Sequence, residues 1–533
     1  MTTFTAALTA NRAYQQTERQ RWTAYYEAQL QRQLAWAIHY VQSGEHPPAD
    51  IIRHLNSFLA LLHQARRYPA MHAHALALIS ALHPWPAKWG YRDIWQAEMG
   101  FAIQIAQQLA KFDLQARFQS YLANLLFQIG NYQQAMDAAK QAAAIARQYN
   151  DLEALISAFE TTINAYRALG LLEQAEEELR ELEAIAREIE TQADIPAWKK
   201  AEITAKTLWI KAPSSSEKEH TARILTAMNH AIAALEAAQH DDLSTRANLY
   251  NLSGIVHWRR DEYTESIQNL QKAHALYTQD GDIFAQASLL GNLGTVYWSM
   301  GEFTEAEKVL RQCVNTTEEL NIHWRLLKAI RMLAVVYLAR GQLNLALHYN
   351  DRHLELAMEL GEHREAAGAI AIRGHIKFHL GDYEAARDDL ETDLVMDGNA
   401  THIDIGNAYV NLSRCYAALG QREHALELLR KAEELAELNN STRLHIIVLR
   451  CLANYKTASE SRATLQQALA LAQKHGRLLD QAACLLTLAH RTDNTSEKSA
   501  LWEQGVDLLK QMGAETWLQG YSIEQPPQLP MSV

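Results

Sequence analysis

Glycine returns along this chain at nearly fixed spacing. It stands at Gly90, Gly130 and Gly170, then at Gly301, Gly341, Gly381 and Gly420. The steps are 40 and 40 residues in the first run and 40, 40 and 39 in the second. Gly170 and Gly301 are 131 residues apart, room for three more units of slightly greater length. A period of this size over most of a chain is the mark of a solenoid, whose units cannot bury their apolar faces alone and must stack.

The clearest unit is LLGNLGTVYWSMGEFTEAEKVLRQC, from Leu289 to Cys313. Leu289, Leu290, Leu293, Val296 and Tyr297 fall on one helical face. Gly301 ends that helix, because a left-handed residue without a Cβ closes it without strain. Ala306, Val309, Leu310 and Cys313 form the apolar face of a second helix. Gly294 and Ala306 are small, so the two helices can approach closely.

These residues carry a resemblance. The pattern Leu290–Leu293–Gly294–Tyr297–Gly301–Phe303–Ala306 resembles the tetratricopeptide repeat. It returns at Leu333–Ala334–Tyr337–Gly341–Leu343–Ala346, at Gly374–Gly381–Tyr383–Ala386 and at Leu412–Ser413–Tyr416–Gly420–Ala425. The usual period is about 34 residues; the longer unit here is similar to the sensor modules of bacterial signal-transduction ATPases and of peptide-sensing regulators. The resemblance spans residues 86–520 and implies an all-α, right-handed superhelical solenoid of antiparallel helix pairs.

Composition agrees with an all-helical chain: 48% of residues are hydrophobic, with 22 glycines and 10 prolines in 533 residues. The net charge is −12, which disfavours general nucleic-acid binding. The charge is uneven. Residues 1–120 hold 11 Lys/Arg and 7 Asp/Glu, a balance of +4, and the remainder holds 39 and 55, a balance of −16. Nucleic-acid binding through the basic N-terminal part is the minor alternative this leaves open. Cys313, Cys415, Cys451 and Cys484 have no C-x-x-C spacing and suit small buried residues in a reducing compartment. No secretory or membrane-spanning pattern occurs, so a cytoplasmic location is expected.

Four regions are expected. Residues 1–84 form an N-terminal helical cap or docking region, 85–440 the repeat array, 441–522 degenerate C-terminal repeats and a cap, and 523–533 a disordered tail rich in proline. Trp85, Trp89, Tyr91 and Trp95 are expected to wedge the cap against the array, and Trp517 and Tyr521 to seal its far end. The polar stretch Lys211–Glu219 is expected to be a longer exposed loop. Arg260 and Asp261 stand where a turn glycine is expected.

The resemblance implies that the first helix of each pair lines a concave groove. Asn124 and Asn164 lie six residues before their glycines, Asn292 and Asn411 nine before theirs, and Asn251 nine before Arg260. An Asn side chain both donates and accepts, so a ladder of them can hold an extended peptide backbone. The scaffold reading of the same residues is hydrogen bonding between helices. Around them stand Arg117, Glu160, Arg167, Trp258, Trp298, Lys328, Arg331, His375, Phe378 and Arg414, including the Trp and Arg types that most often carry binding energy. A carboxylate clamp, which the resemblance also implies, lacks its lysines. His375 and His379 are spaced to share a metal, but no third ligand follows, so neither metal nor cofactor is expected.

No phosphate loop, nucleophile elbow or dinucleotide fingerprint occurs. The expectation is a non-catalytic scaffold that binds a protein or peptide, acting as a sensor or adaptor in bacterial signalling or defence. The alternative is a regulatory subunit or target of a separate enzyme, such as a protease or ATPase.

Overall fold

The structure is a computed structural model that describes residues 2–83, 85, 92–211, 218–320, 322–396, 402–439 and 441–530. Its described residues form 25 α-helices in sequential antiparallel pairs, and none is long and apolar enough to cross a membrane. Two compact units are distinguished. The first comprises Met1–Pro213, His230–Leu243 and Tyr277–Ala285, and the second Ser214–Asn229, Ser244–Leu276 and Gln286–Val533.

The first unit opens with α1 (Thr2–Gln42), α2 (Pro48–Arg53), α3 (Leu55–Ala65), α4 (His72–Leu82) and α5 (Arg92–Gln108). Leu34, Phe58, Leu62, Leu78, Trp95 and Met99 are buried together here. Trp95 and the partly buried Trp85 do join this core, whereas Trp89 and Tyr91 lie outside the described residues. Trp22 and Tyr25 on α1 are 66% and 58% exposed. The regular pairs follow: α6 (Phe112–Gln128) with α7 (Tyr132–Tyr149), α8 (Leu152–Ala168) with α9 (Leu172–Thr191), then α10 (Ala197–Lys211). An alanine stripe, Ala135, Ala138, Ala139 and Ala142, lets α7 pack closely. Asp151 caps α8 by accepting the Ala154 N–H at 3.1 Å. Of the polar stretch 211–219, residues 212–217 lie outside the described residues.

Next come α11 (Lys218–Ala237), α12 (Leu243–Arg259), α13 (Tyr263–Asp280), α14 (Ile283–Met300), α15 (Phe303–Glu319), α16 (His323–Ala339) and α17 (Leu343–Glu359). The chain continues with α18 (His363–Leu380), α19 (Tyr383–Met396), α20 (His402–Ala418), α21 (Arg422–Leu438), α22 (Thr442–Leu452), α23 (Ala458–Lys474), α24 (Leu478–His490) and α25 (Thr495–Gln511). A Cβ on Gly294 would come within 2.5 Å of Leu310, so glycine there is what allows α14 and α15 to touch. Every regular turn glycine that is described, from Gly130 to Gly420, has positive φ. Where glycine is missing, Asp261 takes φ 60° in its place.

The second unit closes on itself. Its largest core joins Leu290, Leu310, Leu333 and Tyr337 to Leu486, Leu509, Met512 and Trp517. The end of α25 and a 3₁₀ turn, Glu515–Leu518, seat on the turns that follow α14 and α16. Trp517 is buried as expected of a seal, while Tyr521 is exposed. The proline-rich end is described as far as residue 530. Ser522 and Gln525 bridge, and Leu529 is 2% exposed inside the same core. An apolar slot lined by earlier repeats receives it, a partner that composition alone does not reveal. All four cysteines are free and buried.

Candidate ligand-binding groove

The residues expected to line a groove lie on the first helices of successive pairs, and they fall into distinct environments. In the first unit Asn124 is exposed and accepts from Gln128 Nε2 at 2.5 Å. Asn164 is half-buried on α8. Arg167 donates Nη1 to the Ile210 carbonyl at 2.8 Å, tying α8 to α10. Burial holds its guanidinium below the ordinary range. That contact is scaffold.

In the second unit two asparagines of the ladder meet one another. Asn292 Nδ2 donates to Asn251 Oδ1 at 3.0 Å, linking α14 to α12. Trp258 donates its indole N–H to Ser299 Oγ at 2.8 Å. The Arg443 guanidinium lies 5.5 Å from the Trp298 ring centre. These contacts bind neighbouring helices, and Asn251, Trp258, Asn292 and Trp298 all remain half-buried.

A second set is less satisfied. On α18, His375 is 6% exposed and its Nδ1 has no hydrogen-bond partner among the described residues. Burial, with the Arg414 charge adding to it, pushes His375 down to about 3, so its ring is neutral. His379, one turn later, is also held well below its ordinary range, by burial first and then by Arg414, His375 and Arg450, and meets Trp517 edge-on at 4.9 Å. On α20, Asn411 donates to the Asn407 carbonyl at 2.8 Å within its own helix, and its Oδ1 is unpartnered. Arg414 stacks 4.2 Å from the ring centre of the buried Phe378. Among the described residues it has no carboxylate within ion-pair distance, and burial lowers it to about 10. His375, Phe378, Asn411 and Arg414 are therefore brought into one neighbourhood by α18 and α20.

Lys328 and Arg331 stand apart on α16. Lys328 lies 5.3 Å from the Trp324 ring centre and is drawn down to about 8, by desolvation first and then by Arg325, Arg331 and Arg364. Arg331 reaches Glu365 only at 3.9 Å. Glu365 is held down at about 2 despite burial, through its bond from His353 and the charges of Arg331 and Lys328. Lys328 thus sits among Arg325, Arg331 and Arg364, a local cluster of cations that the acidic balance of residues 121–533 does not reveal.

The comparisons with known proteins are consistent with this architecture. Residues 275–475 match the family described as "MalT-like TPR region", and residues 107–169 match "Anaphase-promoting complex subunit 5". Residues 275–475 are similar to a MalT-like tetratricopeptide region. No curated protein is matched by sequence. Among solved structures, a Rap protein complexed with competence and sporulation factor is 16% identical with a TM-score of 0.52. The match covers 68% of this chain and 98% of that one. NprR in complex with its cognate peptide NprX is 13% identical over 67% of this chain and 98% of that one, with a TM-score of 0.49. The signal transduction ATPase with a tetratricopeptide repeat sensor from Pyrococcus horikoshii is 12% identical over 66% of this chain and 55% of that one, at 0.45. At this identity the likeness to the Rap protein is one of fold.

The repeat pattern did not reach several residues that bear on these sites in either unit. Arg443 sits on α22, where the glycine register has already lapsed, and Lys199, Glu202 and Lys206 sit on α10, ahead of a pair with no turn glycine. Their only signal was helical spacing within one segment.

Proposed function

We propose that this chain is a non-catalytic binding module that holds a peptide or protein segment along the first helices of its tetratricopeptide region. The observation that carries the reading is the group on α18 and α20: the unpartnered Nδ1 of His375, the unpartnered Oδ1 of Asn411, and an Arg414 guanidinium stacked on Phe378 without a carboxylate. Buried polar atoms normally find partners, and unpartnered ones clustered beside an unpaired guanidinium call for an explanation, which a bound ligand supplies. The Rap protein of similar fold, whose structure is a complex with competence and sporulation factor, supports reading this fold as one that holds a ligand. In this reading the module acts as a sensor or adaptor in bacterial signalling or defence, alone or as the regulatory subunit of a separate enzyme.

The test is ligand exchange. Purified full-length protein is heated to release bound peptides, which are identified by mass spectrometry and resynthesised for binding. Arg414→Gln and His375→Asn are each expected to weaken that binding at least tenfold in variants that circular dichroism shows to be folded. Equal affinity in folded variants would place the site elsewhere.

A further inference from the structure

A cavity of about 170 Å³ opens between α6, α8 and α10 in the first unit. It is lined by charge: Arg117 and Tyr121 from α6, Glu153 and Glu160 from α8, Lys199, Glu202 and Lys206 from α10. Most of that charge is already matched. Arg117 is paired with Asp151 at 2.5 Å. Glu202 is held by Lys206 at 2.6 Å and by Lys199 at 3.0 Å. Every cation of the wall is therefore committed to a carboxylate.

Two carboxylates are not. Glu153 and Glu160 make no hydrogen bond or ion pair among the described residues. Glu160 is half-buried and lines the cavity. Desolvation accordingly raises its carboxyl above the usual range, and Lys206, occupied by Glu202, offsets this only through space. A second group is left over as well. Ser120 is 1% exposed, lines the same cavity, and its hydroxyl has no partner. An isolated carboxylate in a desolvated cavity is costly unless a cation or donors reach it.

We propose that this cavity binds an alkylammonium group, which pairs with Glu160 and donates a further hydrogen bond to Ser120. An ammonium carries three donors and no acceptor, which suits a wall whose unsatisfied groups are a carboxylate and a hydroxyl. The Tyr121 ring adds an aromatic face that favours a cation. A cavity near 150 Å³ holds a ligand of about six heavy atoms, the size of a lysine side chain or a short diamine. The inference rests on the first helices forming a ligand-binding surface, as in the proposed function, and it adds the charge and size of what enters this part.

Calorimetric titration of the full chain decides it. The probes are cadaverine, the blocked tripeptide acetyl-Ala-Lys-Ala-amide, 1-pentanol as neutral analogue and glutarate as anionic analogue. Saturable one-to-one binding of cadaverine or the tripeptide is expected, with 1-pentanol and glutarate inert. The tighter of the two amines identifies the source as a free amine or a peptide lysine. Glu160→Gln is expected to weaken binding at least tenfold. Affinity should also fall as the pH is lowered through the raised Glu160 titration. Ser157→Leu, which fills the cavity without touching the charge, is a second variant expected to abolish binding should Glu160→Gln fail to fold. The proposal is overturned if neither amine binds, if Glu160→Gln binds equally, or if glutarate binds instead. Failure here leaves the Arg414 and His375 test in the second unit standing, so the two readings fail separately.

Discussion

The indole of Trp517 donates its Nε1 hydrogen to the Ala339 carbonyl at 2.9 Å, across 178 residues of sequence. Arg340 Nε adds a bond to the Gly513 carbonyl at 3.1 Å. Together they fasten the last turn of the chain to the end of α16 and place Trp517 over His379.

Trp517 should therefore be a main support of the second unit. Trp517→Ala is expected to cost about 3–5 kcal/mol. Trp517→Phe, which keeps most of the apolar area but loses the donor, should cost about 1 kcal/mol. Urea unfolding followed by circular dichroism measures both; a Trp517→Ala variant as stable as the parent would show that the closure contributes nothing.

Gly341 and Gly381 separate two reasons for glycine. Both have positive φ, 75° and 86°. A Cβ at Gly341 would stand 3.1 Å from the Trp517 ring, whereas at Gly381 nothing lies within 4 Å. Gly381→Ala should cost about 1–2 kcal/mol from backbone strain alone. Gly341→Ala should cost about 1–3 kcal/mol more, from overpacking. Equal urea midpoints for the two variants would contradict this.

Stability should fall in mild acid because of His375. Its folded value, about 3, lies below the ordinary 6.5. The unfolded state therefore takes up the proton first. The contribution is whole above about pH 6.5 and is lost as the pH falls toward the folded value. By pH 5 the loss is on the order of 2 kcal/mol. His375→Gln should flatten melting temperature between pH 7 and pH 5, and an unchanged slope would disprove the assignment.

Asp480 joins α22 to α24. It accepts from Arg450 at 2.5 Å and from Arg477 at 2.9 Å, with its side chain and that of Arg450 nearly fully buried. Burial opposes its charge, but the two guanidinium groups outweigh that and hold the carboxyl below its usual range. This support is present above the ordinary aspartate range and is lost as the pH falls through the lowered value. Asp480→Ala should cost about 3–5 kcal/mol, since it strands a buried guanidinium. Asp480→Ala/Arg450→Met should recover part of that loss in the same urea experiment, and no recovery would argue against the pair.

The helix pairs were legible because each local rule acts within a few residues. Gly130, Gly170 and Gly301 sit where a left-handed residue must stop a helix, and Gly294 where two helices must touch. Asp261 shows that the turn survives without glycine, and Ala110 and Asn150, with φ of 54° and 55°, mark turns that the glycine count passes over. The candidate groove was less legible. The spacing that selects Asn251 and Asn292 puts both on first helices, but it cannot tell that they bond each other. Glu160 was visible as a member of that face, whereas its isolation depends on Lys206 being taken by Glu202.

The sequence by itself determined the unit: two amphipathic helices, a left-handed turn, small residues at the contact, repeated until the pattern lapses near Asn440. Those choices are local, since helical period and turn chemistry are properties of adjacent residues. Only the tertiary structure decided that Trp517 and Leu529 return to earlier repeats, that Arg414 stacks without an acid, and that Glu160 faces a cavity. Each of these depends on which side chains meet after the units stack, and the small per-unit rotations that bring them together are summed over many repeats and written in none.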